Sequence, residues 1–531
     1  MFSLLHPSAP SARWPGIRIL VVGSGLIFAT IGFVAAAEVQ PVVTVTGGAI
    51  AGRTLPGGHG AVFRGVPFAA PPIGDRRWRE PMPIEPWSGT RDGDKSGPPA
   101  MQASFGWNAD MAAASREDCL YLDVWTPSVG KGERPVMVWI HGGGNVGGSG
   151  GFDQLYDGTR LIGHDVVLVV VEYRLGIFGF LAHPALTQES PHHASGDYGL
   201  LDQLAALQWV HDNIAKFGGD PSNVTVFGQS AGAIDILHLL TSPLAHGLIH
   251  RAIVESGSLP AASMSPSLAH AEAAGVAAVA RLDPPAGDPL KYLRGLSPAE
   301  ILAKAGPVPA VAVDGWVLKE PPVLAFAQGR SLPVPLLIGT CAMEFPIDGG
   351  IANCRTVVAQ FFGKHAEEAE RLYAIDGEHT GLPVDPLLGG TPEQLGADLF
   401  RCGAILDGEW HAKAGHPTWE YQFDRAIPPR AHVAHSSDLP YVFGNLVATG
   451  SQGGEFTPVD RQVSDAIQAY WTNFARTGNP AGPGLPAWPA FDATTRFYQE
   501  FGADGSVVTN RDQRAPFLPV FREMMLNNAT K

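Results

Sequence analysis

Charge is scarce in this chain. Asp, Glu, Lys and Arg make up 16% of its 531 residues, well under the roughly 25% usual in soluble domains. What charge there is leans acidic: 51 Asp and Glu face 36 Lys and Arg, for a net of −15. There is no run of Lys or Arg, which excludes the basic footprint that a nucleic-acid partner requires. Four cysteines exclude a disulfide-dense scaffold. Beyond residue 40 no apolar run approaches the ~20 residues of a membrane span. Glycine (64) and proline (46) are plentiful, about a fifth of the chain against an average near 12%. Loops are therefore many, yet the share stays below the ~25–30% that marks disorder. Hydrophobic residues at 45% can fill a large core. The length predicts two to four domains, or one large α/β domain.

The N-terminus reads as an address. Arg13 and Arg18 precede the apolar run Ile19 to Val34, and Ala35-Ala36-Ala37 and Glu38 follow it. A positive segment, an apolar stretch and an A-x-A site predict a secretory signal, residues 1–37, cut after Ala37. Left uncleaved, the run would be a short membrane anchor. The expected mature chain is residues 38–531, a single domain, secreted or periplasmic, with no membrane contact once the signal is removed.

Val136 to Ile140, Val166 to Val171, Val224 to Phe227, Ile253-Val254 and Leu336 to Ile338 are unbroken apolar runs. Such runs fit strands covered on both faces, as in parallel sheets. Leu120 to Trp125 alternates as a strand, and Val42 to Val45 with Ile50 to Leu55 around Gly47-Gly48 predicts a hairpin. Between strands, Gly199 to Ile214 sets Leu200, Leu204, Leu207 and Val210 at helical spacing. This alternation predicts an α/β fold: a large, mostly parallel central sheet with helices on both faces. The Ala-rich stretches Ala262 to Leu332 and Thr356 to Gly415 read as helical cap insertions.

Two motifs carry chemistry. Val224 to Phe227 leads into Gly228-Gln229-Ser230-Ala231-Gly232 and then the apolar Ile234-Asp-Ile-Leu237. A G-x-S-x-G between strand and helix projects its serine on a sharp turn above the sheet, with a helix N-terminus beneath it. Ser230 is the expected nucleophile. Pro135 to Ile140 runs into His141-Gly142-Gly143-Gly144, a loop of the type that aims backbone N–H groups at an oxyanion. Glycine lets the backbone approach closely, and no Lys-Ser/Thr follows to make a phosphate loop. The expected donors are Gly143, Gly144 and Ala231, with His141 orienting the loop.

With these motifs the chain resembles a type-B carboxylesterase, the family that includes bacterial para-nitrobenzyl-type esterases and animal cholinesterases. The resemblance extends through Arg64-Gly-Val-Pro-Phe-Ala-Ala-Pro-Pro72, Glu117-Asp-Cys-Leu-Tyr-Leu122, Tyr173-Arg-Leu-Gly176, Gly199-Leu-Leu-Asp-Gln203, Phe217-Gly-Gly-Asp-Pro221, Gly478-Asn-Pro480 and Trp488-Pro489. It implies an α/β-hydrolase fold and a Ser–acid–His triad. The family's acid is a Glu at the end of a strand, which Leu337-Ile-Gly-Thr-Cys-Ala-Met-Glu344 matches. Glu344 is the implied acid and Asp348 its neighbour in competition. Phe345 stands where the family usually has Gly. The segment His435-Ser-Ser-Asp-Leu-Pro-Tyr-Val-Phe-Gly444 implies His435 as the base, with Asp438 bracing its loop; His432 fits no family position.

The chemistry expected from such a triad is ester hydrolysis through an acyl-enzyme on Ser230, with a small-molecule ester as partner and no metal or other cofactor. An amidase or carbamate hydrolase would use the same three residues. A non-catalytic binding protein on the same fold would generally lack one of them. Substrate contacts are open: the candidates are Asn145, where the family often has a large apolar residue, Gln229, where it usually has Glu, and Trp107, in the loop where cholinesterases carry a cation-binding Trp. Asn145 would offer its amide to a polar acyl group or point into solvent. The resemblance aligns Cys119 with a family disulfide cysteine whose partner position holds Ala100, which makes Cys119 a free thiol. Cys354 with Cys402 is a candidate bridge, and Cys341 is a rival.

Overall fold

In the strand Arg134–Ile140, Val136, Val138 and Ile140 join one buried cluster while Met137 and Trp139 join another. The two-residue period of a strand sends alternate side chains to opposite faces, so a strand apolar at every position must be covered on both. The same alternation recurs in the neighbouring strands and builds a core on each side of the sheet. This computed structural model describes residues 40–130, 132–151, 153–259, 265–285, 287, 289–447 and 454–530. The expected signal and its cleavage site lie outside them.

Among the described residues the strands are, in chain order, β1 (Val42–Val45), β2 (Gly48–Ala51), β3 (Arg53–Thr54), β4 (Ala61–Pro67), β5 (Thr90–Asp92), β6 (Tyr121–Thr126), β7 (Arg134–Ile140), β8 (Val167–Val171), β9 (Gly219–Gln229), β10 (Arg251–Glu255), β11 (Leu336–Cys341), β12 (Thr418–Phe423), β13 (Phe497–Phe501) and β14 (Val507–Arg511). β1, β2 and β5 make a small sheet. The other eleven form one sheet in the order β14-β13-β12-β11-β10-β9-β7-β8-β6-β4-β3. From β8 through β7 and β9 to β13 the pairings are parallel; both edges are antiparallel. The stretch expected as one strand from Ile50 to Leu55 divides at Gly52: its first part belongs to the small sheet and its second to the large one.

One core packs under the helices Tyr198–Asn213, Ala231–Leu239 and Thr391–Lys413. The other packs under Leu439–Phe443 and Pro458–Thr477. The helix Thr391–Lys413 lies within a stretch expected to be a cap insertion. It is instead part of the body of the fold: it connects β11 to β12 and covers the sheet there. Gly408 makes this fit, since a methyl at that position would come within 2.9 Å of Glu420 Oε1 and 3.2 Å of Ile338.

All four cysteines are free and buried, so the candidate bridge between Cys354 and Cys402 is not formed. The native protein is expected to leave all four thiols unreacted toward a bulky thiol reagent. Unfolding without reductant should release four equivalents; two or fewer would reveal a disulfide. A second expectation concerns the second core, where Trp139 sits 4.8 Å from Phe227, 4.9 Å from Phe443 and 5.2 Å from Tyr156, ring centre to ring centre. Trp139→Ala should cost about 3–5 kcal/mol, seen as a lower midpoint in urea unfolding.

Candidate active site

Four strand ends converge. β7 ends at Ile140 and passes into the glycine loop, β9 ends at Gln229 beside Ser230, β11 ends three residues before Glu344, and His435 follows β12. Side chains at the carboxyl ends of neighbouring parallel strands are where this class of sheet gathers its ligands.

Ser230 sits in a backbone conformation that few residues adopt, φ 57° and ψ −126°. Its N–H donates to the Glu255 carbonyl at 2.9 Å, which ties the turn to β10. A non-glycine residue held in such a region costs about 1–3 kcal/mol and needs over-determining surroundings. The neighbouring glycines supply them. A methyl on Gly232 would lie 2.1 Å from the Ile140 carbonyl oxygen, and one on Gly228 would lie 2.7 Å from it. A methyl on Gly142 would lie 2.6 Å from the Gln229 carbonyl oxygen. The serine turn and the glycine loop therefore press backbone against backbone. Ala231 opens the helix Ala231–Leu239, and the first N–H groups of a helix have no acceptor within it.

The glycine loop is held from below. His141 is buried and stacked on Tyr173, with ring centres 4.5 Å apart, and its Nδ1–H donates to the Gly142 carbonyl at 2.8 Å. Burial pulls its imidazole down to about 4, which keeps it neutral. Asn145 does not point into solvent. It is buried, with φ 57°, a left-handed conformation that Asn tolerates better than most residues. Its amide donates to Asp235 at 2.8 Å and accepts from the Tyr173 hydroxyl at 3.1 Å. Asp235 also accepts from Gln203 at 2.6 Å. Burial pushes Asp235 up to about 7 against those two amide donors. Asn145 therefore anchors the loop to the helix carrying Ala231, and it is not among the described residues that line the cavity.

His435 Nδ1 lies 2.5 Å from Glu344 Oε2, so the ring proton on that side donates to the carboxylate. Glu344 Oε1 accepts the Cys341 N–H at 2.9 Å, and its side chain is fully buried. Asp348 and His432, the competing residues, are exposed. Asp438 accepts from the Tyr421 hydroxyl at 3.1 Å; burial and the nearby Glu344 push its carboxyl up. The ring of His435 is flanked by Phe345, with centres 4.3 Å apart, and by Phe400, 5.3 Å away. Phe400 escapes a sequence reading because it sits on the helix Thr391–Lys413, which pattern alone assigns to a cap.

Ser230, His435, Gln229, Gly142 and Gly143 open on one cavity of about 760 Å³. Trp107 lines it too and packs over the glycine loop, since a methyl on Gly147 would touch its ring at 3.2 Å. Phe105, Met111, Val146, Leu155 and Phe345 complete an apolar wall. None of the described lining residues is Asp, Glu, Lys or Arg. Among the described residues no cluster of His, Cys, Asp or Glu is arranged to hold a metal ion, and no helix is long and apolar enough to cross a membrane.

A profile of the carboxylesterase family matches residues 39–369 and 390–517. The chain is 40% identical over 450 residues to the fumonisin B1 esterase of Sphingopyxis macrogoltabida, covering 81% of each protein. It is 34% identical over 530 residues to the cocaine esterase of Homo sapiens, covering 91% of each. Among solved structures, a thermophilic PNB esterase superposes with a TM-score of 0.78 at 31% identity, over 91% of this chain and 100% of that one. The chain belongs to the carboxylesterase family: it has the α/β-hydrolase fold and is a carboxylic ester hydrolase.

One buried acid behind the site has a consequence for stability. Glu172 accepts from Ser149 Oγ and from the Gly151 N–H, yet burial pushes it up to about 8. Between the ~4.3 of an unfolded Glu and about 8, the folded chain holds a proton that the unfolded chain lacks. Its contribution therefore makes stability fall as pH rises through that window. Glu172→Gln should flatten this dependence. Thermal midpoints from pH 5 to 9 should decline more steeply for the unaltered protein than for the variant; equal slopes would contradict the assignment.

Proposed function

We propose that the chain hydrolyses carboxylic esters through an acyl-enzyme on Ser230, with His435 as general base and Glu344 as the acid that orients it. The observation that carries this reading is the pairing of His435 Nδ1 with Glu344 at 2.5 Å in a ring that shares one cavity with the strained Ser230. With Nδ1 holding its proton toward Glu344, Nε2 is the basic nitrogen. It takes the Ser230 proton as Oγ attacks the ester carbonyl, and Glu344 stabilises the resulting imidazolium. The carbonyl oxygen gains negative charge, which the N–H groups of Gly143, Gly144 and Ala231 receive; each such donor contributes about 10²–10³ in rate. Collapse of the tetrahedral species expels the alcohol, protonated by His435. Water then attacks the acyl-enzyme with His435 again as base, and releases the acid.

The uncharged apolar cavity supports esters with a large neutral acyl or alcohol part. A carboxylate carried into it would lose its hydration without a cationic partner among the described lining residues. The relatives named for fumonisin B1 and for cocaine also support an ester of a sizeable organic molecule. The pattern Arg13 to Ala37 supports export, with residues 38–531 as one mature domain outside the cytoplasm.

A fluorophosphonate should label Ser230 stoichiometrically, read by mass spectrometry of the peptide. Ser230→Ala should lower kcat by about four orders of magnitude or more without loss of fold; persistent turnover would defeat the reading. Among esters of one alcohol, neutral medium-chain acyl groups should exceed dicarboxylic half-esters of equal length by at least about tenfold in kcat/KM. Equal rates would show that the cavity does not select against charge.

A further inference from the structure

We propose that Gln229 is a positioning residue whose amide turns with the protonation state of His435, presenting N–H to the neutral ring and C=O to the protonated one. The proposal rests on His435 being the base.

Gln229 is the last residue of β9 and is 3% exposed. Its amide nitrogen stands 3.0 Å from His435 Nε2. Because Nδ1 carries its proton toward Glu344, Nε2 of the neutral ring offers a lone pair, and only a donor can face it. The amide N–H is that donor. The oxygen of the same amide faces the glycine loop, where a methyl on Gly142 would meet Gln229 Oε1 at 3.1 Å. The side chain thus bridges the base and the loop of N–H donors.

This contact has two consequences during turnover. The lone pair that must take the Ser230 proton is capped at rest by an amide, so the cap has to yield as the proton arrives. Once Nε2 is protonated, an unmoved amide would oppose one donor with another, the arrangement that leaves polar groups unsatisfied. The terminal torsion of glutamine is broad and nearly two-fold. Half a turn brings Oε1 onto the new N–H, and the return turn restores the resting contact when His435 gives the proton to the leaving alcohol. The proton passes from Ser230 to His435 to alcohol, and Gln229 exchanges none. A carboxylate at this position could only accept, and would favour the charged ring. A thioether could do neither.

The other groups that bear on the ring do not change with residue 229. Glu344 holds Nδ1, Asp438 acts electrostatically from the same loop with Glu255 behind it, and the flanking Phe345 and Phe400 rings are uncharged.

The test compares Gln229→Glu and Gln229→Met with the unaltered full chain. One readout is kcat/KM against pH from 5 to 10 on a short-chain para-nitrophenyl ester. The other needs no turnover: the downfield proton resonance of the His435–Glu344 hydrogen bond, assigned by its loss in His435→Ala and followed over the same range. In Gln229→Glu both the acid limb and the resonance transition should move up by about one pH unit, tenfold in proton affinity. Its kcat should return to within about twofold of the unaltered protein near pH 9.5. Gln229→Met should lower kcat by about tenfold with KM within twofold. The proposal is overturned if Gln229→Glu leaves both transitions within 0.2 units and Gln229→Met leaves kcat within twofold. A resonance that shifts in a protein hydrolysing no ester would sink the esterase reading instead and leave the amide contact standing.

Discussion

The rest of the structure depends on one close approach of backbone to backbone. The Ile140 carbonyl at the end of β7 lies where methyl groups on Gly228 and Gly232 would be. That contact holds the serine turn at an unfavourable φ and ψ, and it sets the glycine loop beside the turn at a fixed distance. Neither element would keep its shape alone, since the turn is strained and the loop is three glycines in a row. Pressed together, they make a rigid corner, and in the proposed mechanism rigidity there would let N–H groups meet developing charge without reorganising at the moment of reaction.

Around this corner the protein places its charged groups out of the substrate's reach. The acids of the site are buried behind it: Glu344 against the Cys341 N–H, Asp235 between two amides, and Glu172 under Ser149. The described wall that faces the substrate carries no formal charge. The imidazole is paired on one nitrogen, capped by an amide on the other, and flanked by two tilted phenyl rings. In the proposed mechanism, electrostatic work is thus confined to a short line from Glu344 through His435, and no other described lining residue of the cavity carries a formal charge.

Much of this is legible in the sequence because the central strands carry short, mostly apolar stretches. β7, β8, β9, β10 and β11 declare themselves that way, and the serine motif declares its own context of strand, turn and helix. β12 does not. Thr418–Phe423 contains Glu420 and Gln422, and their burial among neighbours from the helix Thr391–Lys413 is a tertiary fact with no local signature. β13 and β14, only partly buried at the sheet edge, carry weak patterns for the same reason. Asn145 shows the limit at the site. Its position beside the glycines suggests contact with substrate, but its partners Asp235 and Tyr173 lie 90 and 28 residues away along the chain. Gln229 is similar: its amide meets a histidine 206 residues away, which spacing cannot reveal.

The helix Thr391–Lys413 has an evolutionary consequence. At Gly396 it comes so close that a methyl there would lie 1.9 Å from the Phe345 carbonyl oxygen, so it braces the loop next to Glu344. One turn further on it contributes Phe400 to the side of His435. A single rod therefore touches both the loop beside Glu344 and the ring of His435. If the proposed triad holds, mutations that slide or thin it would disturb the acid and the base at one stroke, so lineages that alter this helix would have to travel in small steps.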